Sequence, residues 1–401
     1  MTPRPGGPDT GAPGRLGSAV VIGTGLIGTS IALALSEHGV SVWLTDQEAA
    51  AARLAADMGA GKVLPEPLAV AEPGQAAPAA GTSPGPARPE QAGPGADLAV
   101  LAVPPTAVAS SLAAAQARRL ARWYTDVASV KALPLRQARE QGCDLASFVP
   151  GHPLSGRERS GPAAARADLF LGRPWVICPG PQNPPEAVAA VLELVRCCQA
   201  EPVQAGADEH DRWVALVSHA PHVVAAAMAA RLTDAPGGAL GLAGQGLRDV
   251  TRIAGGDAGL WTEILAANAA PVARILADVA ADLAAAAEAL AEDGVPHPAE
   301  RPAMKPLAGL LDAGCAGVAR IPGKRGAPVR DNAVVQVVIP DQPGELARLF
   351  QVAGESGVNI EDIGIEHSPG LPVGVAELTV RPESVARLTQ ALAAAGWPVR
   401  R

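Results

Sequence analysis

The segment GTGLIG, residues 23–28, constrains the fold of this chain more than any other feature. It matches the pattern GxGxxG, and it follows a β-branched run at 19–22 and opens a helical pattern at 26–36. The first glycine permits a tight turn, the second lets the backbone approach a pyrophosphate, and the third allows close helix packing. The helix amino terminus would then face the phosphates. The residues expected to bind the cofactor here are Gly23, Gly25, Leu26, Ile27 and Gly28.

An acidic residue follows this motif at a spacing typical of nicotinamide dinucleotide sites. Asp46 ends the predicted strand at 40–44, where a carboxylate would hydrogen-bond to the ribose 2′-hydroxyl. No lysine or arginine follows before Arg53, which favours NAD over NADP as the cofactor. The alternative is a glycine turn in a sheet protein that binds no cofactor.

Length and charge limit the function classes that remain. A chain of 401 residues exceeds one ordinary core, so two or three domains are expected. The net charge of −8 and the lack of a long basic run argue against nucleic-acid or anionic-membrane partners. No uninterrupted apolar stretch reaches about 18 residues, the length that a membrane helix needs. The five cysteines lack zinc-site spacing and indicate reduced thiols, so a soluble, cytoplasmic protein is predicted.

The order of patterns predicts an α/β fold with three parts. Residues 97–105 form a buried strand pattern, with Val103 and Pro104 at its end expected to line the cofactor site. Further strands at 123–127, 147–149 and 175–178 complete a Rossmann-like, doubly wound sheet. The predicted divisions are a disordered leader at 1–17, a dinucleotide-binding domain at 18–180 with a low-complexity insertion at 65–95, an all-α dimerisation and substrate domain at 181–295, a linker at 296–332 and an α+β module at 333–401.

Two polar residues follow strands at the sheet edge where ligands of such folds bind. His152 lies in the segment GHPLSG, and a histidine there could orient a substrate hydroxyl and take its proton. Ser129, in DVASVK, could hydrogen-bond to the histidine, the cofactor or the substrate. The alternatives are a turn histidine and a serine that caps a helix.

The predicted helical domain carries a second polar group. His210, His219 and His222 occur together, and an apolar pocket with histidine donors is favoured over a metal site because no carboxylate or cysteine stands at matching spacing. Arg252 could bind a carboxylate through its guanidinium. The alternatives for Arg252 are solvation at the surface or a helical pair with Asp249.

Six ordered motifs carry a resemblance to a known family. They are GTGLIG, DVASVK, GHPLSGRERSG, the stretch from EHD to SHAPH, RDVTRIA and GDAGLW. In this order they resemble the prephenate and arogenate dehydrogenases of tyrosine biosynthesis, over roughly 280 residues. The tail, with DQPGEL and GVNI, resembles an ACT domain, a small module that senses amino acids.

The resemblance implies roles for individual residues. His152 would bind the ring hydroxyl and assist hydride transfer, and Ser129 would support it while touching cofactor and substrate. The residues implied in substrate binding are Arg252, His222, Glu158 and His210. Those implied in binding a regulatory ligand, with tyrosine as the effector, are Asp341, Gly344, Asn359 and Ile360.

The resemblance predicts NAD-dependent oxidative decarboxylation of prephenate to 4-hydroxyphenylpyruvate by a homodimer, without a metal. Arogenate as the substrate stays open, because no residue distinguishes its amino group from the keto group of prephenate. Two rival functions predict different residues. A non-catalytic NAD-binding sensor would have a disrupted histidine site, and a β-hydroxyacid dehydrogenase would carry a lysine on its helical domain, whereas none occurs between Lys131 and Lys305.

Overall fold

The computed structural model describes residues 15–68, 94–155, 161–291, 304–321, 332–367 and 372–400. The chain divides into two compact units, residues 1–278 and residues 279–401. Most of the predicted leader and most of the insertion at 65–95 lie outside the described residues.

A five-stranded parallel sheet forms the centre of the first unit, with strand order β3-β2-β1-β4-β5. The strands are β1 Ser18–Ile22, β2 Ser41–Thr45, β3 Lys62–Val63, β4 Ala96–Leu101 and β5 Ala121–Asp126. The helices between them are α1 Leu26–Glu37, α2 Ala49–Asp57, α3 Val108–Ala117 and α4 Ala132–Glu140. This order confirms the predicted doubly wound α/β fold.

The strands of this sheet are apolar at successive positions because helices cover both faces. Val21 packs into one core cluster, and its neighbour Val20 packs into another. Successive side chains of a strand point to opposite faces, so each face of β1 has its own apolar core. The predicted loss of apolar/polar alternation in the strand at 97–105 has the same cause.

A smaller sheet corrects part of the strand prediction. Its strands, in the order β6-β7-β8, are β6 Gly151–Pro153, β7 Pro174–Ile177 and β8 Glu201–Gln204. The strand predicted at 175–178 therefore pairs here and not in the parallel sheet. The strand predicted at 147–149 is reduced to one bridge between Tyr124 and Phe148, because the chain turns away after a single pairing.

Helix α5, Pro185–Cys197, packs with the first core and not with the helical region. Its residues Val191 and Leu194 are fully buried in the same cluster as Val21 of β1. Strand β8 follows α5 and pairs in parallel with β7. We therefore propose that the dinucleotide-binding domain extends to about residue 204, beyond the boundary predicted at residue 180.

The rest of the first unit is helical, as predicted. The helices are α6 Ala207–Val214, α7 Ala220–Ala230, α8 Gly237–Leu240, α9 Gln245–Thr251, α10 Ala258–Ala267 and α11 Ala269–Ala291, the last of which continues into the second unit. A five-residue π-helix, Ala215–His219, joins α6 to α7. Pro221 lies in the first turn of α7 and lacks an N–H group, so a wider turn before it avoids one hydrogen bond that proline cannot make.

The continuous helical segment Ala207–Ala230 is long and apolar enough to span a membrane when judged by length and composition alone. The pair α10 and α11 passes the same test only if a bend of 100° is ignored. Core helices of soluble proteins also pass this test. The first turn of Ala207–Ala230 carries the acidic residues Asp208 and Glu209.

The C-terminal part of the second unit is a small α+β module. It consists of β9 Ala333–Pro340, α13 Glu345–Glu355, β10 Asp362–His367, β11 Val373–Val380, α14 Val385–Ala394 and β12 Val399–Arg400. The antiparallel sheet has the order β10-β11-β9-β12, and Leu349 and Leu388 of the two helices pack on its apolar face. Strand β12 extends the predicted βαββα pattern. The predicted linker at 296–332 contains helix α12, Met304–Val318, which the proline-rich flanks did not indicate.

Candidate active site

The turn between β1 and α1 has the backbone geometry that a bound pyrophosphate requires. Gly23 has a φ of 96°, and a Cβ there would lie 2.2 Å from the Ala102 carbonyl oxygen. A Cβ on Gly28 would lie 1.9 Å from the Gly23 carbonyl oxygen, whereas a Cβ on Gly25 would meet no atom within 4 Å. Helix α1 has no side-chain cap, so its first amides are open to an anion. The turn therefore fits a dinucleotide phosphate.

A cleft of about 290 Å³ lies next to this turn. It is lined by Gly23, Gly25, Asp46, Val103 and Pro104, all five of them predicted cofactor residues. Glu263 of α10 also lines the cleft, and no lysine or arginine does so among the described residues. The cleft therefore presents carboxylates where a 2′-phosphate would need a cation.

Asp46 is held by hydrogen bonds from the turn that it faces. Its Oδ2 accepts from the Thr24 amide at 2.5 Å and from the Thr24 hydroxyl at 2.9 Å, and its Oδ1 accepts from the Glu48 amide at 2.9 Å. An ionised carboxylate has about four acceptor positions, so Asp46 keeps room for a ribose hydroxyl.

A buried ion pair fixes the backbone just before His152. Lys131 and Asp126 are fully buried and form a direct ion pair. The Lys131 ammonium also donates to the Gly151 carbonyl oxygen at 2.6 Å, and Asp126 Oδ1 accepts from the Gly151 amide at 3.2 Å. A Cβ on Gly151 would lie 3.0 Å from Trp175 Nε1, which explains the glycine. Both main-chain groups of Gly151 are thus bound to charged side chains.

His152 lies in the middle of β6, opposite Val176 of β7, and not after a strand of the main sheet as predicted. Its backbone is nevertheless close to the cleft. Asp126 is the register partner of Leu101, and the next residue, Ala102, lines the cleft. Neighbouring strands lie about 4.8 Å apart, so Gly151 lies within a few strand spacings of the cofactor cleft.

The side chains of His210 and Asp211 form a series of hydrogen bonds with the ring of His152. Its Nδ1 lies 2.9 Å from His210 Nε2, and His210 Nδ1 lies 2.8 Å from Asp211 Oδ1. The Asp211 carboxylate also accepts from the amides of Lys131 and Ala132, at 2.8 and 2.9 Å. Both nitrogens of the fully buried His210 are therefore occupied, which leaves none for the substrate-binding role predicted for it.

The surroundings set the charge of these groups. Burial, together with nearby His210, Lys131 and His219, holds the pKa of His152 well below its usual value of 6.5. Burial alone would raise the pKa of Asp211, but hydrogen bonds from His210 and from the amides of Ala132 and Lys131 lower it. At neutral pH the site therefore combines a neutral His152 with an ionised Asp211.

The side chains of Trp261 and Asn268 contact the other two histidines of the helical region, His219 and His222. His222 stacks on Trp261 at 3.6 Å between ring centroids, and His219 meets the same indole edge-on at 6.1 Å. The Asn268 amide nitrogen donates to the main-chain oxygen of Asp211 at 2.8 Å and lies 3.1 Å from His219 Nδ1. Among the described residues, no group of three His, Cys, Asp or Glu side chains is arranged to hold a metal ion.

Models of two protein domains match the chain in succession. The one described as "Prephenate dehydrogenase, nucleotide-binding domain" matches residues 87–204, and "Prephenate dehydrogenase, dimerization domain" matches residues 206–299. The chain belongs to the prephenate dehydrogenase family. It is therefore an oxidoreductase, and the family's nucleotide-binding domain contains the β4 edge of the cleft and His152.

Individual relatives agree with this family membership. "Probable prephenate dehydrogenase NovF" of Streptomyces niveus is 40% identical over 95% of this chain and 99% of its own length. A cyclohexadienyl dehydrogenase of Zymomonas mobilis is 30% identical over 45% of this chain and 63% of its own length. The crystal structure of prephenate dehydrogenase from A. aeolicus, in complex with hydroxyphenyl propionate and NAD⁺, shares the fold with a TM-score of 0.61, at 21% identity over 76% of this chain and 98% of that chain.

The structure brings together only part of the site predicted for a prephenate dehydrogenase. Ser129 is half-buried and makes no side-chain hydrogen bond among the described residues, so its predicted contact with His152 is not seen. Arg252 begins a short 3₁₀ turn and is exposed, without an ion pair in the described part of the chain. Glu158 lies outside the described residues. These three roles stay predictions.

The four residues predicted to bind a regulatory ligand lie at two ends of the C-terminal sheet. Asp341 and Gly344 follow β9, whose last residue pairs with Val373. Asn359 and Ile360 precede β10, whose first residue pairs with Thr379. Six residues of β11 separate these pairings, on the order of 20 Å. One module does not bring the two pairs together.

The residues joined by the hydrogen bonds described above, here the histidine cluster, are Asp126, Lys131, His152, His210, Asp211, His219 and Asn268. Several of them are not among the site residues predicted from the sequence. Asp126 and Lys131 flank Ser129 in a motif considered only for its serine, and Asp211 adjoins His210. Their positions beside motif residues were a sequence signal by which they could have been predicted. Asn268 had no such signal, since it lies 57 residues from Asp211 and belongs to no motif.

Proposed function

We propose that the protein is an NAD-dependent prephenate dehydrogenase, which converts prephenate to 4-hydroxyphenylpyruvate and CO₂ in tyrosine biosynthesis. The observation that carries this proposal is the hydrogen-bonded series from Asp211 through His210 to His152, placed beside a dinucleotide cleft. Family membership supplies the reaction class. The carboxylates and the lack of cations among the described residues of the cleft support NAD as the cofactor.

The series of hydrogen bonds determines which nitrogen of His152 is basic. An ionised Asp211 only accepts, so His210 Nδ1 carries a proton and His210 Nε2 accepts one from His152 Nδ1. The lone pair of the neutral His152 is then on Nε2. That atom can accept the proton of the substrate 4-hydroxyl.

The cofactor and His152 would have separate tasks in the reaction, one for the hydride and one for the hydroxyl proton. NAD, held by the GTGLIG turn and Asp46, would supply the acceptor for the hydride of the substrate carbinol carbon. His152 Nε2 accepts the hydroxyl proton as the hydride leaves. The loss of CO₂ then moves an electron pair through the ring to the C4 oxygen, which takes the proton back from His152, so the ring becomes aromatic and keeps its hydroxyl. The fixed Gly151 backbone orients the imidazole for this step. We propose that Arg252 binds a substrate carboxylate, that His222 and Glu158 belong to the substrate-binding site, and that Ser129 contacts cofactor and substrate.

Replacing His152 by asparagine tests the proposal. The asparagine amide can still donate to His210, but the base at Nε2 is lost, so kcat should fall about 10²- to 10⁴-fold with little change in NAD affinity. Initial rates with prephenate and arogenate, each with NAD and NADP, measure this effect and rank the substrates. His38→Asn is the matched control, because His38 caps the carboxyl end of α1 and, among the described residues, its ring bonds only to the Ala34 carbonyl oxygen. Near-normal turnover by His152→Asn would contradict the proposal.

We further propose that the enzyme is a cytoplasmic homodimer. The matched dimerization domain and the exposed apolar side chains of the π-helix support this assembly, since Leu216 and Val217 are 60% and 67% exposed. Sedimentation analysis of the full chain would test it. A monomer at micromolar concentration would contradict it.

The C-terminal module is proposed to be an ACT domain that binds tyrosine as an inhibitor. Its βαββαβ order and the DQPGEL and GVNI segments support this assignment. Because Asp341 and Asn359 lie at different ends of the sheet, a site that uses both needs two modules. Asn359→Ala in the full chain should weaken inhibition by tyrosine, and unchanged inhibition would exclude this site.

A further inference from the structure

Two series of hydrogen bonds leave Asp211. The first, here the carboxylate arm, runs from its side chain through His210 to His152. The second, the carbonyl arm, runs from its main-chain oxygen through the Asn268 amide to His219, over 2.8 and 3.1 Å. One residue thus holds both imidazoles.

The carbonyl arm fixes a proton on His219. The main-chain oxygen of Asp211 only accepts, so the Asn268 amide must turn its nitrogen towards it, since the opposite orientation would place two oxygens 2.8 Å apart. The same nitrogen faces His219 Nδ1, which therefore accepts. A neutral His219 then carries its proton on Nε2, whereas His152 has its lone pair on Nε2.

His219 has a nitrogen available for a ligand. The ring is 1% exposed, and no hydrogen bond to its Nε2 is found among the described residues. The fully enclosed polar atoms without a partner in this part of the chain are Gln137 Oε1 and Trp175 Nε1. His219 Nε2 therefore has no hydrogen-bond partner among the described residues, but it is not completely enclosed by protein atoms. His219 is also close enough to His152 to affect its protonation.

We propose that His219 is a second substrate-binding imidazole, which donates its Nε2 proton to a carboxylate or keto oxygen of the substrate, and that Asp211 is the positioning residue for both rings. The proposal rests on the proposed function. His152 would accept from the hydroxyl while His219 donates to an oxygen that can only accept. Reversing the substrate would place acceptor against acceptor, so the pair specifies one orientation.

Three variants of the full chain test the donor. His219→Leu removes it, whereas His219→Gln keeps an amide N–H near the position of Nε2. Loss of a hydrogen bond to a charged group predicts a KM for prephenate about 10- to 100-fold higher in His219→Leu, with kcat and the KM for NAD changed little. His219→Gln should recover most of this loss. Met228→Leu, an exposed site on α7, is the control for the helix.

The product identifies the oxygen, because 4-hydroxyphenylpyruvate lacks the ring carboxylate. If its inhibition constant rises in His219→Leu as the KM for prephenate does, His219 binds the side chain of the substrate. If only the KM for prephenate rises, His219 binds the ring carboxylate. Both outcomes support the proposal, and an unchanged KM with an unchanged inhibition constant overturns it.

The role of Asp211 is tested by breaking each arm separately. Asp211→Asn keeps the main-chain oxygen and so spares the carbonyl arm, while kcat should fall at least about 10-fold because His152 loses its fixed proton arrangement. Asn268→Ala breaks the carbonyl arm and should raise the KM for prephenate at nearly constant kcat. Thermal unfolding of both variants checks the fold. Equal losses of kcat in both variants would show general disruption and overturn the shared role.

Failure of this inference can be told apart from failure of the proposed function. If the wild-type chain oxidises neither prephenate nor arogenate, the function fails. If it turns over substrate and both His219 variants keep wild-type constants, only the inference fails.

Discussion

The cofactor cleft and the histidine cluster lie close together but are built in different ways. The phosphate-binding turn of the cleft depends on the backbone of one contiguous segment, in which Gly23 and Gly28 could not carry a Cβ. The cluster depends on contacts between residues far apart in the sequence, such as the His152 and His210 side chains, 58 positions apart, and the Lys131 amide with the Asp211 carboxylate, 80 positions apart. The cleft should therefore be sensitive to added atoms, and the cluster to changes of charge and proton position.

The largest expected effect comes from removing one charge of the buried ion pair. Lys131→Met removes the cationic partner of the buried Asp126, and breaking such a pair costs about 3–5 kcal/mol. Urea unfolding measures the loss. The double variant Lys131→Met/Asp126→Asn removes both charges and should recover part of it. A loss below about 1 kcal/mol in the single variant would show that the stability of the cluster does not depend on this ion pair.

Acid should weaken the cluster next. Burial lowers the pKa of His219 from 6.5 to about 4, so the folded chain resists a proton that the unfolded chain binds. The free energy of unfolding should fall as the pH drops from 6.5 to about 4, by about 3 kcal/mol at one pKa unit per 1.36 kcal/mol. Chemical denaturation across this range measures it. His219→Gln should reduce the slope without abolishing it, because the lowered pKa of His152 acts in the same direction. An equal slope in that variant would assign the effect elsewhere.

A smaller effect is expected from adding one methyl group to the cleft. Gly25→Ala fills open space where the pyrophosphate would bind, so NAD affinity should fall about 10-fold while stability is kept. Gly244→Ala is a matched control, because both glycines precede a helix in extended conformation with open space around them. Calorimetric titration with NAD measures the difference. Equal affinities in the two variants would contradict the cleft assignment.

The smallest effect is expected at Asp46. Asp46→Asn weakens an acceptor for the ribose and removes a charge that repels a 2′-phosphate, so the NAD over NADP preference should fall about 5-fold. Asp97→Asn is the control, since Asp97 accepts from two backbone amides away from the cleft. The ratio of kcat/KM for the two cofactors is the measurement. An unchanged ratio would mean that other groups set the preference for NAD, and Glu263, which also lines the cleft, would be the first to replace.

Most of the fold was predictable because its signals are local. The GTGLIG segment and the continuous apolar strands gave the parallel sheet, and five predicted residues line the cleft. The strand predicted at 175–178 pairs in the smaller sheet, since an apolar run does not specify its pairing partner.

In the site, the sequence indicated His152 through the motif that contains it. The position proposed for His210, between His152 and Asp211, depends on which atoms its two ring nitrogens contact, and no sequence pattern specifies those contacts. Asn268 could not be found from sequence, because its effect comes from one contact across 57 residues.

The π-helix Ala215–His219 makes this region sensitive to the type of helix that forms. The carboxylate arm uses His210, which precedes the π-helix, and the carbonyl arm uses His219 at its end. An α-helix turns the chain by about 100° per residue and the wider π-helix turns it by less, so an ordinary α-helix over the same residues would rotate His219 relative to His210. His219 would then face away from Asn268 while His210 kept its place. Substitutions that keep the π-helix can be tolerated, but one that converts it to an α-helix would separate His219 from the carbonyl arm.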